Sequence, residues 1–209
     1  MTRPRLLVAG IGNIFLADDA FGPEVIDALR ARPLPPEVEV GDFGIRGFDL
    51  AYRLLDGYDA VVLVDAAPRG HRPGTLSVVV PDPPEDTDAA PEAHGMDPVK
   101  VLALAARLAD GPLPRVVLLA CEPGRLPESD ADIEAGLSDP VREAVGAAVP
   151  LLHTVVGRLL ADPGAELRFG RSVESTPSGP AGFPGIGAPT HEDRRVRTPA
   201  GPGASEENA

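Results

Sequence analysis

Cysteine is almost absent from the 209-residue chain. Cys121 is the only one, which excludes an internal disulfide and any cluster of cysteine metal ligands. Positive charge is scarce as well: 19 Lys and Arg stand against 32 Asp and Glu, a formal net charge of -13 at pH 7. A chain this acidic repels phosphate backbones, which disfavours general nucleic-acid binding. A basic helix lying on a membrane surface is disfavoured for the same reason. No apolar run approaches the length of a membrane-spanning helix. Leu6 to Ala9, behind Arg3 and Arg5, is too short for the core of a signal peptide, and Gly10 to Asp19 is rich in glycine and acid. These shortages lead to the expectation of a soluble cytoplasmic monomer with neither nucleic acid nor membrane among its partners.

Apolar residues, by contrast, make up 43% of the chain, enough to bury a sizeable core in one domain. The 23 Gly and 25 Pro fall unevenly. From Gly170 to Ala209, prolines such as Pro177, Pro180 and Pro184 alternate with Gly179, Gly182 and Gly185. Apolar residues there are isolated, as at Val173, Phe183, Ile186 and Val196. Such a stretch buries too little surface to offset its ordering entropy. The expected organisation is a folded domain over 1–169 and a disordered Pro/Gly-rich tail over 170–209. His191, Arg194, Arg195 and Arg197 are read as part of that solvated coil.

Strand and helix signals alternate through the folded part. Leu6 to Ala9 reads as a buried strand ending at Gly10. A helix rises from Gly22-Pro23 with Val25, Ile26 and Leu29 on one face, Pro23 suiting a first helical turn. Val38 to Val40 is a second strand, ending near Asp42. Phe48, Ala51, Tyr52 and Leu55 have the i, i+3, i+4, i+7 spacing of a second helix. Ala60 to Val64 and Thr75 to Val80 are the third and fourth strands. The link between them holds Pro68, Gly70, Pro73 and Gly74 and is too short for a crossover helix. The fourth strand therefore runs antiparallel to the third if the two are neighbours. Asp97-Pro98 opens a third helix with Val101, Leu104, Ala105 and Leu108 inward. Val116 to Ala120 is the fifth strand. Ser138-Asp139-Pro140 opens a last helix reaching about Leu160, which Pro150 should kink or split.

Strands without polar alternation are covered on both faces. The fold class is α/β: a three-layer helix–sheet–helix sandwich with a mostly parallel five-stranded sheet and one antiparallel strand. Ligands in such sheets bind beyond the carboxyl ends of the strands. That rule singles out Asn13, Asp18 and Asp19 after strand one, Asp42 after strand two, Asp65 at the end of strand three, and Cys121-Glu122 at the end of strand five. His94 precedes the third helix.

Gly10-Ile11-Gly12 after a strand invites a dinucleotide reading, but the third glycine position is Phe15, and Asp18 and Asp19 sit where phosphate needs donors. A tight turn leaving the sheet explains these glycines better. Asp19, Asp65 and His94 offer two carboxylates and an imidazole, a set suited to nickel, zinc or manganese. Three protein ligands leave positions open for water or for a group from a partner. Each residue also has a plain structural reading: a helix cap for Asp19, a strand-end turn for Asp65, a loop histidine for His94. Cys121 is a rival nucleophile with His94 as base. A strand-end cysteine is more often small buried packing, and Glu122 would raise its pKa.

Taken together, Gly10-Ile11-Gly12-Asn13 leading to Asp18-Asp19, Asp42-Phe43-Gly44-Ile45-Arg46-Gly47, Val64-Asp65-Ala66, His94-Gly95-Met96-Asp97-Pro98 and Cys121-Glu122-Pro123 resemble the hydrogenase maturation proteases. The resemblance spans about Leu6 to Leu160. It implies an endopeptidase that removes a C-terminal peptide from the nickel-loaded precursor of a nickel–iron hydrogenase large subunit. Asp19, Asp65 and His94 match the family's nickel-binding residues, with the nickel supplied by the substrate and another divalent metal as the alternative ion. Some members have Glu where this chain has Asp19. The Asp42 to Gly47 segment matches a loop implicated in substrate recognition. The alternative is a non-hydrolytic protein that senses nickel or binds a metallated partner.

Overall fold

The structure is a computed structural model, and it describes residues 4–81, 98–127 and 133–167. The expected tail over 170–209 and His94 lie outside the described residues. The elements are β1 (Leu6–Ile11), a 3-10 turn (Ala17–Ala20), α1 (Phe21–Ala28), β2 (Val38–Gly44), α2 (Gly47–Arg53), β3 (Ala60–Ala66), β4 (Leu76–Val79), α3 (Pro98–Leu108), β5 (Arg115–Cys121) and α4 (Asp139–Ala161). They form one five-stranded sheet in the order β2-β1-β3-β5-β4. The first three pairings in that order are parallel and β4–β5 is antiparallel.

β1 and β3 are buried along their whole length, as strands covered on both sides must be. The even and odd positions of β1 feed two separate cores. Leu6 and Val8 pack with Phe21, Val25 and the inward stripe of α4. Leu7, Ala9 and Ile11 pack with Leu50, Leu54, Val101 and Ala105 from α2 and α3. α1 lies against α4 and α2 against α3, so the three-layer sandwich of the sequence reading is the observed architecture.

Four details depart from that reading. β4 does run opposite to β3, but its neighbour is β5, because α3 carries the chain back to insert β5 between them. The link from β3 to β4 instead runs over the end of β5, where the Ala67 N–H donates to the Cys121 carbonyl and the Gly74 N–H to that of Glu122. On α3, Leu102 is buried while Leu108 is 41% exposed. His153, read from the sequence as a solvent-facing residue of the last helix, is half-buried, with its Nε2 3.1 Å from the Arg32 carbonyl oxygen.

The fourth departure is α4. It is long and apolar enough, by length and composition, to cross a bilayer. Its charged residues interrupt any continuous apolar run, which hides that length in the sequence. In the fold it lies along the sheet, with Val141, Ala144, Ala148, Leu152, Val155, Val156 and Leu159 buried in a single stripe. It also runs through Pro150 without a break. The ring's carbonyl clash would fall on residue i−4, which is Gly146, the residue type with most backbone freedom. The Thr154 hydroxyl bonds the Pro150 carbonyl at 3.0 Å. Pro150 is exposed, so Pro150→Ala restores a helix hydrogen bond without disturbing the core. It is expected to raise stability by about 1–3 kcal/mol, read as a higher urea midpoint at unchanged slope.

Candidate active site

The turn after β1 is built around two glycines. Gly12 has φ +128°, and a Cβ there would lie 1.8 Å from the Asp19 carbonyl oxygen. Gly22, in the first turn of α1, would place a Cβ 2.1 Å from the Ile11 carbonyl oxygen and 2.4 Å from that of Val64. The helix start is therefore pressed directly onto the ends of β1 and β3. The positive φ of Gly12 bears out the tight-turn reading at that position. Ala17 opens the 3-10 turn with φ +48°, a conformation that is costly for a residue with a Cβ. The Glu134 carbonyl accepts its N–H.

Asp19 sits in that turn, half-buried. Its Oδ2 accepts the Asn13 N–H at 2.6 Å, which orients the carboxylate. Asp65 is the penultimate residue of β3 and is 5% exposed. Strand alternation puts it on the sheet face shared with Val61 and Leu63, where α3 packs. β3 touches the turn that carries Asp19. The structure thus brings the Asp19 and Asp65 segments together at the carboxyl edge of neighbouring strands. His94 lies outside the described residues, and the helix it precedes begins at Pro98. Among the described residues, no group of three His, Cys, Asp or Glu stands close enough to hold a metal ion.

Asp18, beside Asp19 in sequence, does the opposite job. It is fully buried. Its Oδ2 accepts the N–H groups of Gly124 and Arg125, both at 2.7 Å, and the Ser138 hydroxyl at 2.8 Å. Its Oδ1 accepts the Ser138 N–H at 2.6 Å. Burial alone would raise the Asp18 pKa, but the bonds from Ser138, Arg125 and Gly124 outweigh it and hold the carboxyl below the usual range. Asp18 ties the loop after β5 to the turn after β1. Ser138 begins α4, yet its hydroxyl serves Asp18 rather than capping its own helix. The sequence carried no sign of this, because the partners lie 106 to 120 residues away.

Glu122 is likewise structural: it is 7% exposed and accepts the Arg69 and Gly70 N–H groups at 2.7 and 3.2 Å. Asp42 is exposed and accepts the Gly44 N–H at 2.9 Å, shaping the loop after β2. The Gly12 N–H donates to the Gly44 carbonyl at 3.1 Å, so the loops after β1 and β2 are joined.

Cys121 fails as a nucleophile. It is fully buried in the core under α4. Burial pushes its thiol up to about 12, with the Asp18 and Glu122 charges adding to the shift. A thiol so raised stays protonated at neutral pH. Cys121→Ser is expected to keep activity within about twofold of wild type while lowering stability by about 1–3 kcal/mol for the buried hydroxyl. Rate and urea-melt measurements on one preparation check both.

Comparison with known proteins agrees with this architecture. The family model for hydrogenase maturation protease matches residues 23–154. The hydrogenase expression/formation protein HupD of Rhizobium leguminosarum bv. viciae is 32% identical over 154 residues, covering 72% of this chain and 75% of its own. HoxM of Azotobacter vinelandii, also a hydrogenase expression/formation protein, is 34% identical over 152 residues, covering 71% and 70%. The hydrogenase maturating endopeptidase HybD from E. coli superposes with a TM-score of 0.57 at 25% identity, over 73% of this chain and 92% of that one. A hydrogenase 2 maturation peptidase from a Thaumarchaeota archaeon gives 0.52 at 28% identity, over 73% and 98%. With the family model matching residues 23–154 and relatives above 30% identity over most of their length, the chain belongs to the hydrogenase maturation protease family.

Proposed function

We propose that the protein removes a C-terminal peptide from the nickel-loaded precursor of a nickel–iron hydrogenase large subunit, and that Asp19, Asp65 and His94 read the precursor's nickel. The observation that carries this reading is the contact between the Asp19 turn and the end of β3 bearing Asp65. It sets two carboxylates on one edge of the sheet, and α3, which follows His94, packs on the face that Asp65 shares. Two oxygen donors and one nitrogen donor suit a borderline divalent ion, and the set is complete only when a partner brings that ion. Nickel is then part of the substrate.

The peptide bond is cut by water. A carboxylate at the site takes a proton from that water and returns one to the leaving amine. A divalent ion at the site would polarise the carbonyl and lower the pKa of water. The shut-away Cys121 leaves the thiol out of the reaction. The test is to incubate the protein with nickel-loaded and nickel-free precursor and follow precursor mass. Loss of a C-terminal peptide from the loaded form alone is expected. Equal cutting of both forms overturns the nickel reading, and cutting of neither overturns the protease reading.

A further inference from the structure

Four large apolar side chains stand in water around the Asp19 turn. Ile14 is 53% exposed and Phe15 55%, both on the loop after β1. Ile45, on the loop after β2, is 64% exposed, and Ile133, on the loop after β5, is 73% exposed. Backbone hydrogen bonds tie these loops to one another. The Phe15 N–H donates to Asn13 Oδ1 at 3.0 Å, and the Phe15 carbonyl accepts the Glu134 N–H at 2.9 Å. A parallel bridge joins Leu16 to Glu134, so Ile133 stands beside Phe15. The Gly12–Gly44 hydrogen bond brings in the loop that carries Ile45. The Asn13 N–H links the whole collar to the Asp19 carboxylate.

Single exposed apolar residues are ordinary, whereas a contiguous group marks a contact surface. A surface whose loops are already joined by backbone hydrogen bonds loses less conformational entropy when a partner arrives. On the basis of the function proposed above, we infer that Ile14, Phe15, Ile45 and Ile133 form the docking surface for an apolar segment of the hydrogenase precursor beside the cleaved bond. The collar is continuous with Asp19, so whatever presents a bond to that carboxylate must lie across it. Three separate loops contribute, which suits a protein surface. An apolar contact also lets a partner approach a chain of net charge -13 without needing a matching basic patch.

The test uses the full chain and a fluorescently labelled, nickel-loaded large-subunit precursor. Phe15→Ser with Ile133→Ser is compared with wild type and with Leu108→Ser, an exposed apolar position at the far end of α3. Precursor Kd, kcat, KM, melting temperature and sedimentation are measured. The double variant is expected to raise Kd and KM by about tenfold or more, with kcat within about twofold and melting unchanged. Leu108→Ser should match wild type. An unchanged Kd in the double variant overturns the inference. A wild-type dimer that the double variant dissolves, with precursor binding intact, overturns it in favour of a second copy of this chain. Wild type that binds precursor without cutting it sinks the proposed cleavage, while the Kd comparison still decides the collar. Wild type that binds no precursor overturns both.

Discussion

Replacing Asp18 with alanine is expected to remove about 3–5 kcal/mol of stability at neutral pH. Asp18→Ala leaves three part-buried N–H groups and one hydroxyl without their acceptor. Each orphaned donor costs about 1–3 kcal/mol, less whatever water can recover as the loop loosens. Asp18→Asn keeps the shape but puts an amide donor against those donors, and should fall between wild type and Asp18→Ala. The same residue sets a pH signature. Its folded pKa is depressed, so its contribution is fully present above the unfolded value of about 3.9 and is lost as pH falls through the folded value. Urea unfolding of wild type and Asp18→Asn at pH 7 and at about pH 3 should show the gap between them shrinking in acid. A gap that stayed constant would mean that the carboxylate charge has no part in holding the loop.

Asp65→Asn is expected to lower cleavage of nickel-loaded precursor by about a hundredfold or more, the scale on which a proton-transferring group contributes. The side chain is isosteric and sits at a nearly closed strand end, so the fold should survive, and a melting curve on the same preparation separates loss of rate from loss of folded protein. Asp19→Asn should act in the same direction. Its Oδ2 accepts the Asn13 N–H, so Asp19→Asn also disturbs the turn and should show a small stability loss beside the rate loss. Near-normal cleavage by Asp65→Asn, in a protein that melts like wild type, would remove the carboxylate from the mechanism.

The sandwich was legible because β1 and β3 are continuous apolar runs and the helices carry 3.6-residue stripes. Local signals of that kind fix which segments are strands and which face each helix buries. They do not fix who neighbours whom. The β4–β5 pairing depends on where α3 returns the chain, a long-range choice with no local mark. At the candidate site, the rule that ligands lie beyond strand ends drew out Asn13, Asp18, Asp19, Asp42 and Asp65 alike, and it was the family resemblance that selected Asp19 and Asp65 among them. The structural role of Asp18 had no local sign, since its partners Gly124, Arg125 and Ser138 come from across the fold. The exposed collar was equally silent: Ile14 and Phe15 in sequence are simply two more apolar residues, and only the fold shows that they face water.

Gly22 carries a last consequence. At the Asp19 end of the site, backbone rests on backbone, with helix α1 seated directly on the carbonyls of Ile11 and Val64. No side chain acts as a spacer there, so the gap between the Asp19 turn and the end of β3 does not depend on the volume of any core residue. Exchanges among leucine, isoleucine and valine can accumulate in both cores while that gap stays put. The chain is thus free to drift in its interior without moving that contact, whereas Gly22, like Gly12, leaves no room for a Cβ.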